Sequence, residues 1–468
     1  MKKNKSPFQH KPNNLQGSGV MCSALIIAAP HSGSGKTTVT AAIARYHRDQ
    51  GRKVTVFKVG PDFIDPMILR QASSELVYQL DLWLVGEQGC QELLYQAALT
   101  SDLILIEGVM GLFDGNPSSA DLAEYFNIPV LGVIDARAMA QTFAAVTFGL
   151  AKHRPNLPFS GVLANRVNSE RHAEMLTENL SDEFCFYGRM PKDDEITLPE
   201  RHLGLVQAQE LSDVDQQLSQ AASYIANTGL SELPAKVEFF QSLSTNEQNS
   251  IKDSLKGTRI IIVKDKAFAF TYAANIDVLT QAGADIIFCS TIDDEHLPEG
   301  DALYIPGGYP ELYAQELTNN HSFIADVKAF AKSGKPIIAE CGGMLYLLDQ
   351  LTDHHGDVFP MLGLIPGKAI LQKKLAAIGS QWVELPIFNS QEATAAGASY
   401  GQNNIMRGHS FHYSLADVAL TPIAQTTHHP SERSGEFVYQ HGNIFASYIH
   451  WYFPSNPKLT VQMFKAKT

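Results

Sequence analysis

The stretch AAPHSGSGKTT, Ala28 to Thr38, constrains this chain more than any other. An apolar run from Ala24 to Ala29 leads into it and a helix-patterned segment follows, which is the strand, glycine-rich loop and helix order of a phosphate cradle. In such a loop the glycines let backbone N–H groups turn inward on phosphates, Lys36 adds a point positive charge, and the Thr37 hydroxyl reaches a magnesium ion. Gly33, Ser34, Gly35, Lys36, Thr37 and Thr38 are therefore the expected nucleotide-binding residues. The full pattern has glycine where Pro30 stands, so only the inner half of the motif is intact and the start of the loop bends differently. The plain alternative is a Gly/Ser turn that happens to contain a lysine; the flanking strand and helix pattern weighs against it.

At 468 residues the chain is too long for one core of typical size, and two cores are expected. Acidic residues outnumber basic ones by 49 to 36, for a formal charge of -13, and no long Lys/Arg stripe is present. Nucleic acid is thus not an expected partner, and a polyanionic small substrate has to be met by a local basic cluster. Cys22, Cys90, Cys185, Cys289 and Cys341 are scattered without paired spacing, which argues against a disulfide framework or zinc site and for a reducing, cytoplasmic setting. The stretch from Met1 to Met21 is basic and polar without an apolar signal core; a disordered tail is expected there, with Met21 as a second candidate start. No apolar run is long enough to span a bilayer without Gly, Pro or charge, so no membrane partner is expected.

Strand-like runs recur at Lys53 to Val59, Leu103 to Ile106, Val130 to Ile134 and Gly161 to Ala164, alternating with helical stretches. Val39, Ile43 and Tyr46 share one helix face, and Gly51 suits that helix's C-terminal cap. The pattern predicts an α/β fold, a doubly wound and mostly parallel sheet over 22–226, with a long ordered loop from Ser181 closing it. Polar residues over 227–256 read as a linker. A second α/β domain is expected over 257–468, with strands at Arg259 to Val263, Asp285 to Cys289 and Ala302 to Ile305 and a helix at Thr271 to Gln281.

Ligands of such sheets sit at the carboxyl edge of the strands. The turn GPDFIDP delivers Asp62 and Asp65 there, and the Leu103 run ends in Glu107 before the loop GVMGLFDG. Thr37, Asp62 and Glu107 form an oxygen-rich set suited to a hard divalent cation, whereas a solvated strand-end acid is the plainer reading of Glu107. Asp114, before Gly115, either contacts substrate or closes an Asx-type turn. In the second half, KPIIAE from Lys335 to Glu340 reads as a buried strand stopped by Cys341, Gly342 and Gly343, with a helix expected from Met344 to Leu351. This is a nucleophile elbow with cysteine in place of serine; a buried structural thiol is the alternative. His409, His412 and His450 are candidate bases, with His450 favoured because it ends the apolar stretch IFASYIH. Gly307 and Gly308 of PGGYPE, together with Gly342, are expected to form the oxyanion hole.

The segments SGSGKTT, VGPDFIDP, EGVMGLFDG, ANRV, LPERHLGL, PGGYPE, AECGGMLYL, RGHSFHYS and ASYIH resemble those of the cobyrinic acid a,c-diamide synthases of corrinoid biosynthesis, over nearly the whole chain from Ala24 onward. The resemblance implies an ATP-dependent synthetase domain related to dethiobiotin synthetase, joined to a class I glutamine amidotransferase-like domain. Glutamine would be hydrolysed at Cys341 with His450 raising the nucleophilicity of its sulfur, and ammonia would attack a carboxylate activated by ATP with magnesium. By resemblance, Asp62, Phe63 and Ile64 handle the corrinoid, Glu107 and Asp114 serve metal, substrate or activated intermediate, and Asn165 recognises adenine. Cobyrinic acid, ATP and L-glutamine are the implied substrates, and a homodimer is an open option. Position 452 is Tyr where other class I amidotransferases have the glutamate that completes a triad. The competing readings are the same chemistry on hydrogenobyrinic acid or nickel sirohydrochlorin, a partition-type ATPase or nucleotide switch, and an inactive amidotransferase scaffold.

Overall fold

Successive side chains of a strand point to opposite faces, and in the strand Val20–Ala28 both faces are buried from Cys22 onward. Cys22, Ala24, Ile26 and Ala28 join one apolar cluster, Leu25 and Ile27 another. A strand buried on both faces needs cover on both sides of its sheet, which is why its sequence reads as a continuous apolar run. A computed structural model of the chain describes residues 19–197, 200–201, 204–205, 207, 213–242, 250–386 and 404–465. It divides into two compact units, Met1–Leu243 and Ser244–Thr468.

In the first unit the strands lie in the order Tyr78–Leu80, Val54–Val59, Leu103–Glu107, Val20–Ala28, Val130–Asp135, Phe159–Asn165 and Cys185–Arg189, all parallel. The direction of connection reverses around Val20–Ala28, so the carboxyl end of that strand opens onto the crevice where ligands of doubly wound sheets bind. The helix Lys36–Asp49 follows, burying Val39 and Ile43, and Gly51 (φ 80°) turns the chain out of it.

Three expectations are corrected. The first strand begins at Val20 and includes Met21, because Lys236–Phe239 pairs antiparallel with Val20–Ser23; of the expected 1–21 tail, residues 1–18 lie outside the described ones. The stretch from Ser181 is more than a loop: it supplies the seventh strand, Cys185–Arg189, and the helix Val214–Ile225, while most of LPERHLGL lies outside the described residues. The unit boundary falls inside 227–256, but this stretch is built into both units, through the strand Lys236–Phe239 in the first and through Ile251 and Leu255, buried in the second.

The second unit opens with five parallel strands in the order Asp285–Cys289, Arg259–Val263, Ala302–Ile305, Ile337–Glu340 and Ile444–Ser447. The sheet then continues antiparallel through Ser434–His441, Ala424–His428, Ala377–Glu384, Ile405–His412 and His450–Trp451. This extension is not evident from apolar alternation because polar groups face inward there. Gln381 and Ser410 are fully buried, with Gln381 Nε2 donating to Ser410 Oγ at 2.6 Å and Oε1 accepting from Glu436 N at 3.0 Å. The helix expected at Met344 to Leu351 is instead Gly342–Leu347, followed by the strand Gln350–Thr352. Among the described residues no helix is long and apolar enough to cross a membrane.

Candidate active sites

The glycine loop is held from three directions. Gly35 (φ 91°) ends it in the left-handed region, and a Cβ placed on it would collide with Asn165 Nδ2. Asn165, buried at the end of its strand, donates to Ser34 O at 2.9 Å, and Arg166 Nη1 donates to Gly33 O at 3.0 Å while pairing with Asp135. Lys36, 8% exposed, donates to Met110 O at 2.6 Å; burial and the neighbouring Lys58 lower its pKa to about 8, still above neutrality. Met110 takes φ 50°, so the loop after Glu107 bends to offer that carbonyl. Asp114 Oδ2 accepts from Gly111 N at 3.0 Å, so its carboxylate closes the GVMGLFDG turn.

Thr37 Oγ1 donates to Glu107 Oε1 at 2.7 Å, joining two of the three expected metal ligands. The third does not join them directly, because a cation the motif reading overlooked intervenes. Lys58 Nζ lies 3.0 Å from Glu107 Oε1, 2.7 Å from Asp65 Oδ2 and 4.0 Å from Asp62 Oδ2, and its side chain is 3% exposed. Although burial opposes its charge, Asp65, Glu107 and Asp62 hold Lys58 above the usual lysine range. Burial and the neighbouring Asp65 push Asp62 up to about 7; Asp65, despite its own burial, is held down by Lys58. Burial outweighs Lys58 at Glu107 and raises it. Asp62 Oδ1 also accepts from Ile64 N, the first residue of the helix Ile64–Ser73, at 2.8 Å, and Phe63 and Ile64 are half-buried there. The sequence signal for Lys58 was the one charged residue in a mostly apolar strand, VTVFKV.

Among the described residues no group of three His, Cys, Asp or Glu is arranged to hold a metal. A hard divalent ion nevertheless has a fitting donor pair: Glu107 is fully buried, its Oε2 has no hydrogen-bond partner among the described residues, and Thr37 stands beside it.

In the second unit Cys341 follows the strand Ile337–Glu340 directly, at φ 45° and ψ -110°, and precedes the helix Gly342–Leu347. A cysteine in so sparse a region is over-determined by its surroundings. Cys341 N donates to Ser447 O at 2.8 Å, and its O accepts from Leu345 N at 3.0 Å. The elbow packs against PGGYPE with no room for side chains: a methyl group at Gly342 would lie 2.8 Å from Pro310 Cδ and 3.0 Å from Gly308 N. One at Gly307 would lie 2.8 Å from His450 Nδ1 and 3.3 Å from Cys341 Cβ, so that glycine is where the thiol and the favoured histidine converge.

Of the three histidines, His412 is committed elsewhere, with Nδ1 at 2.9 Å from Ser414 O, Nε2 at 3.1 Å from Glu436 Oε1, and its ring stacked on Tyr448 at 3.7 Å. His409 faces His450 across paired strands, the ring centroids 6.1 Å apart. Burial, then His409 and His412, drive the His450 pKa well below its ordinary value; burial, then Glu311, raise the Cys341 thiol. Resting Cys341 and His450 are therefore a neutral thiol beside a neutral imidazole. Tyr452, where a triad acid would stand, is 2% exposed and packs edge-on to Tyr272 at 5.6 Å. Glu340, directly before the cysteine, is buried, raised by burial and bonded to Tyr304 OH at 2.9 Å; Glu311, in the Cys341 pocket, is pushed by burial up to about 7.

A loop built for nucleotide phosphates in one unit and a cysteine elbow in the other define a two-part, glutamine-dependent amidotransferase. The chain matches the model of the CobQ/CobB/MinD/ParA nucleotide binding domain over residues 25–206 and that of the CobB/CobQ-like glutamine amidotransferase domain over 259–458. The hydrogenobyrinate a,c-diamide synthase of Pseudomonas aeruginosa is 50% identical over 437 residues, covering 93% of this chain and 96% of that protein. The protein of the same name from Stutzerimonas stutzeri is 50% identical over 436 residues, covering 93% and 97%. The cobyrinate a,c-diamide synthase of Herminiimonas arsenicoxydans is 45% identical over 442 residues, covering 94% and 96%. The chain belongs to the a,c-diamide synthase family, C–N ligases that use glutamine in cobalamin biosynthesis.

Proposed function

We propose that this chain amidates the a and c acetate carboxylates of a corrinoid, cobyrinic acid or its cobalt-free counterpart hydrogenobyrinic acid, consuming one ATP and one glutamine for each. The observation that carries the reading is the convergence of Cys341 and His450 on Gly307, in a chain whose other unit presents Lys36 and Thr37 beside Glu107. The two relatives at 50% identity bear the hydrogenobyrinate name and the one at 45% the cobyrinate name, so both macrocycles belong in the test.

In the second unit His450 takes the thiol proton as Cys341 Sγ attacks the side-chain carbonyl of glutamine. Ammonia leaves, and water then hydrolyses the thioester to glutamate. The backbone N–H groups of Gly342, Gly307 and Gly308 supply the donors for the oxyanion. In the first unit the macrocycle carboxylate takes the γ-phosphoryl group of ATP, which turns a poor leaving group into phosphate, and ammonia displaces that phosphate to form the amide. Lys36 and the loop N–H groups offset the phosphate charge, while Asn165 and Arg166 keep the loop in shape. Asn165 also borders the adenine side in this reading, Asp62, Phe63 and Ile64 meet the corrinoid, and Asp114 fixes the loop beside it. Thr37 and Glu107 would hold magnesium, with Asp62 nearby; when bound, the ion supplies charge neutralisation for phosphoryl transfer. A cytoplasmic enzyme fits a substrate set of ATP, glutamine and corrinoid.

Mass spectrometry of each macrocycle incubated with the protein, ATP, magnesium and glutamine tests this. Two amidations on one of them are expected, and no mass change on either rejects the assignment.

A further inference from the structure

The pocket in front of Cys341 is walled by aromatic rings, among them Phe270, Tyr309, Phe411 and Tyr413. Hydrolysis of a neutral side-chain amide asks for little else besides the thiol, its base and the oxyanion donors. Yet the pocket also contains Glu311; among the described lining residues it is the sole carboxylate and there is no lysine or arginine. Glu311 sits in the turn Pro310–Tyr313, just after the Gly307–Gly308 pair that packs on the elbow. Its only polar influence among the described residues is its own backbone N–H, and no cation offsets its charge. Glu311 is half-buried; a carboxylate partly withdrawn from water without a counter-charge is unfavourable, and a ligand cation relieves it. Glutamine brings such a cation at the far end of its side chain from the amide that reacts.

We propose that Glu311 receives the α-ammonium group of L-glutamine, so that this carboxylate selects glutamine over primary amides of the same length that lack an α-amino group. The proposal rests on the assignment of Cys341 as the nucleophile. A second consequence follows from the same placement. The charge of Glu311 opposes ionisation of the Cys341 thiol. Pairing that charge with the ligand's ammonium removes the opposition once glutamine is in place, so the thiol becomes easier to ionise when there is an amide to attack.

The test compares glutaminase kcat/KM for L-glutamine with that for 4-carbamoylbutanoate, which has the amide and the carboxylate but no amino group, in the wild-type protein and in Glu311→Gln. The wild type is expected to prefer glutamine by about 10- to 100-fold, the range of a hydrogen bond to a charged group. In the variant that preference collapses toward unity through a higher KM for glutamine, with ammonia-dependent amidation by the same sample reporting a folded protein. Retained preference in Glu311→Gln overturns the proposal, and so does equal hydrolysis of the two amides by the wild type, which needs no variant at all. Alkylation of the Cys341 peptide by iodoacetamide without glutamine adds a readout independent of turnover: it should be faster in Glu311→Gln than in wild type, and an equal or slower rate contradicts the coupling. Cys341→Ala separates the two layers, because persistent glutaminase activity there sinks the nucleophile assignment, whereas its loss alongside an unaltered preference in Glu311→Gln sinks only the role of Glu311.

Discussion

The loop before Lys36 and the turn at Cys341 are the same local device, a buried parallel strand ending in a tight turn that opens a helix. Their surroundings make them opposites. Around the first, Lys36, Lys58, Asp62, Asp65 and Glu107 form a packed set of charges. Around the second, burial disfavours charge on both Cys341 and His450, leaving a neutral thiol and a neutral imidazole among aromatic rings. Strand, turn and helix give the position of a reactive group; what packs behind the turn decides whether it handles phosphate or carbon. Phosphoryl transfer needs charges fixed in advance, whereas attack on an amide needs a proton moved only when substrate arrives.

Replacing Lys36 by Ala should strike hardest, because it removes a fixed charge from the step every amidation shares. ADP formation should fall about 1000-fold or more with either glutamine or ammonium as the nitrogen source; a defect confined to glutamine would blur the contrast between the sites. Lys58→Met should leave Glu107, Asp62 and Asp65 facing one another without their cation, lowering stability by about 3–5 kcal/mol, as for a broken buried ion pair. Thermal unfolding reads this, and magnesium should restore part of the loss in the variant while changing the wild type less. Gly307→Ala places a methyl group against His450 and Cys341, so glutaminase activity should drop about 100-fold while ammonium still supports amidation. The last prediction concerns pH. With the thiol pKa raised and that of His450 lowered, alkylation of Cys341 in the absence of glutamine should climb about tenfold per unit from pH ~7 to ~9. A flat rate starting at acid pH would reveal a preformed thiolate–imidazolium pair and erase the electrostatic difference between the two sites.

Much of this was legible in the sequence where backbone geometry dictates residue type. Gly35 must avoid Asn165, Gly307 and Gly342 must admit their neighbours, and the strands before them are buried on both faces, so glycine and continuous apolar runs mark both turns. Side chains whose role depends on distant partners left weaker traces. Lys58 reads as an irregularity in VTVFKV until Glu107, 49 residues later, is placed beside it. The choice among His409, His412 and His450 could be ordered by strand position but only the contacts with Ser414, Glu436 and Tyr448 remove His412 from contention. The antiparallel extension was hidden for the same reason, since Gln381 is buried through a network whose members, Ser410, Thr426 and Glu436, come from three other strands.

The division of labour between the two sites is tested most directly by Cys341→Ala with ATP, magnesium and the corrinoid, supplied in parallel with glutamine and with ¹⁵N-ammonium and followed by mass spectrometry. The charged site should work without the thiol, so two labelled amides should appear with ammonium and none with glutamine. Equal loss from both nitrogen sources would contradict it.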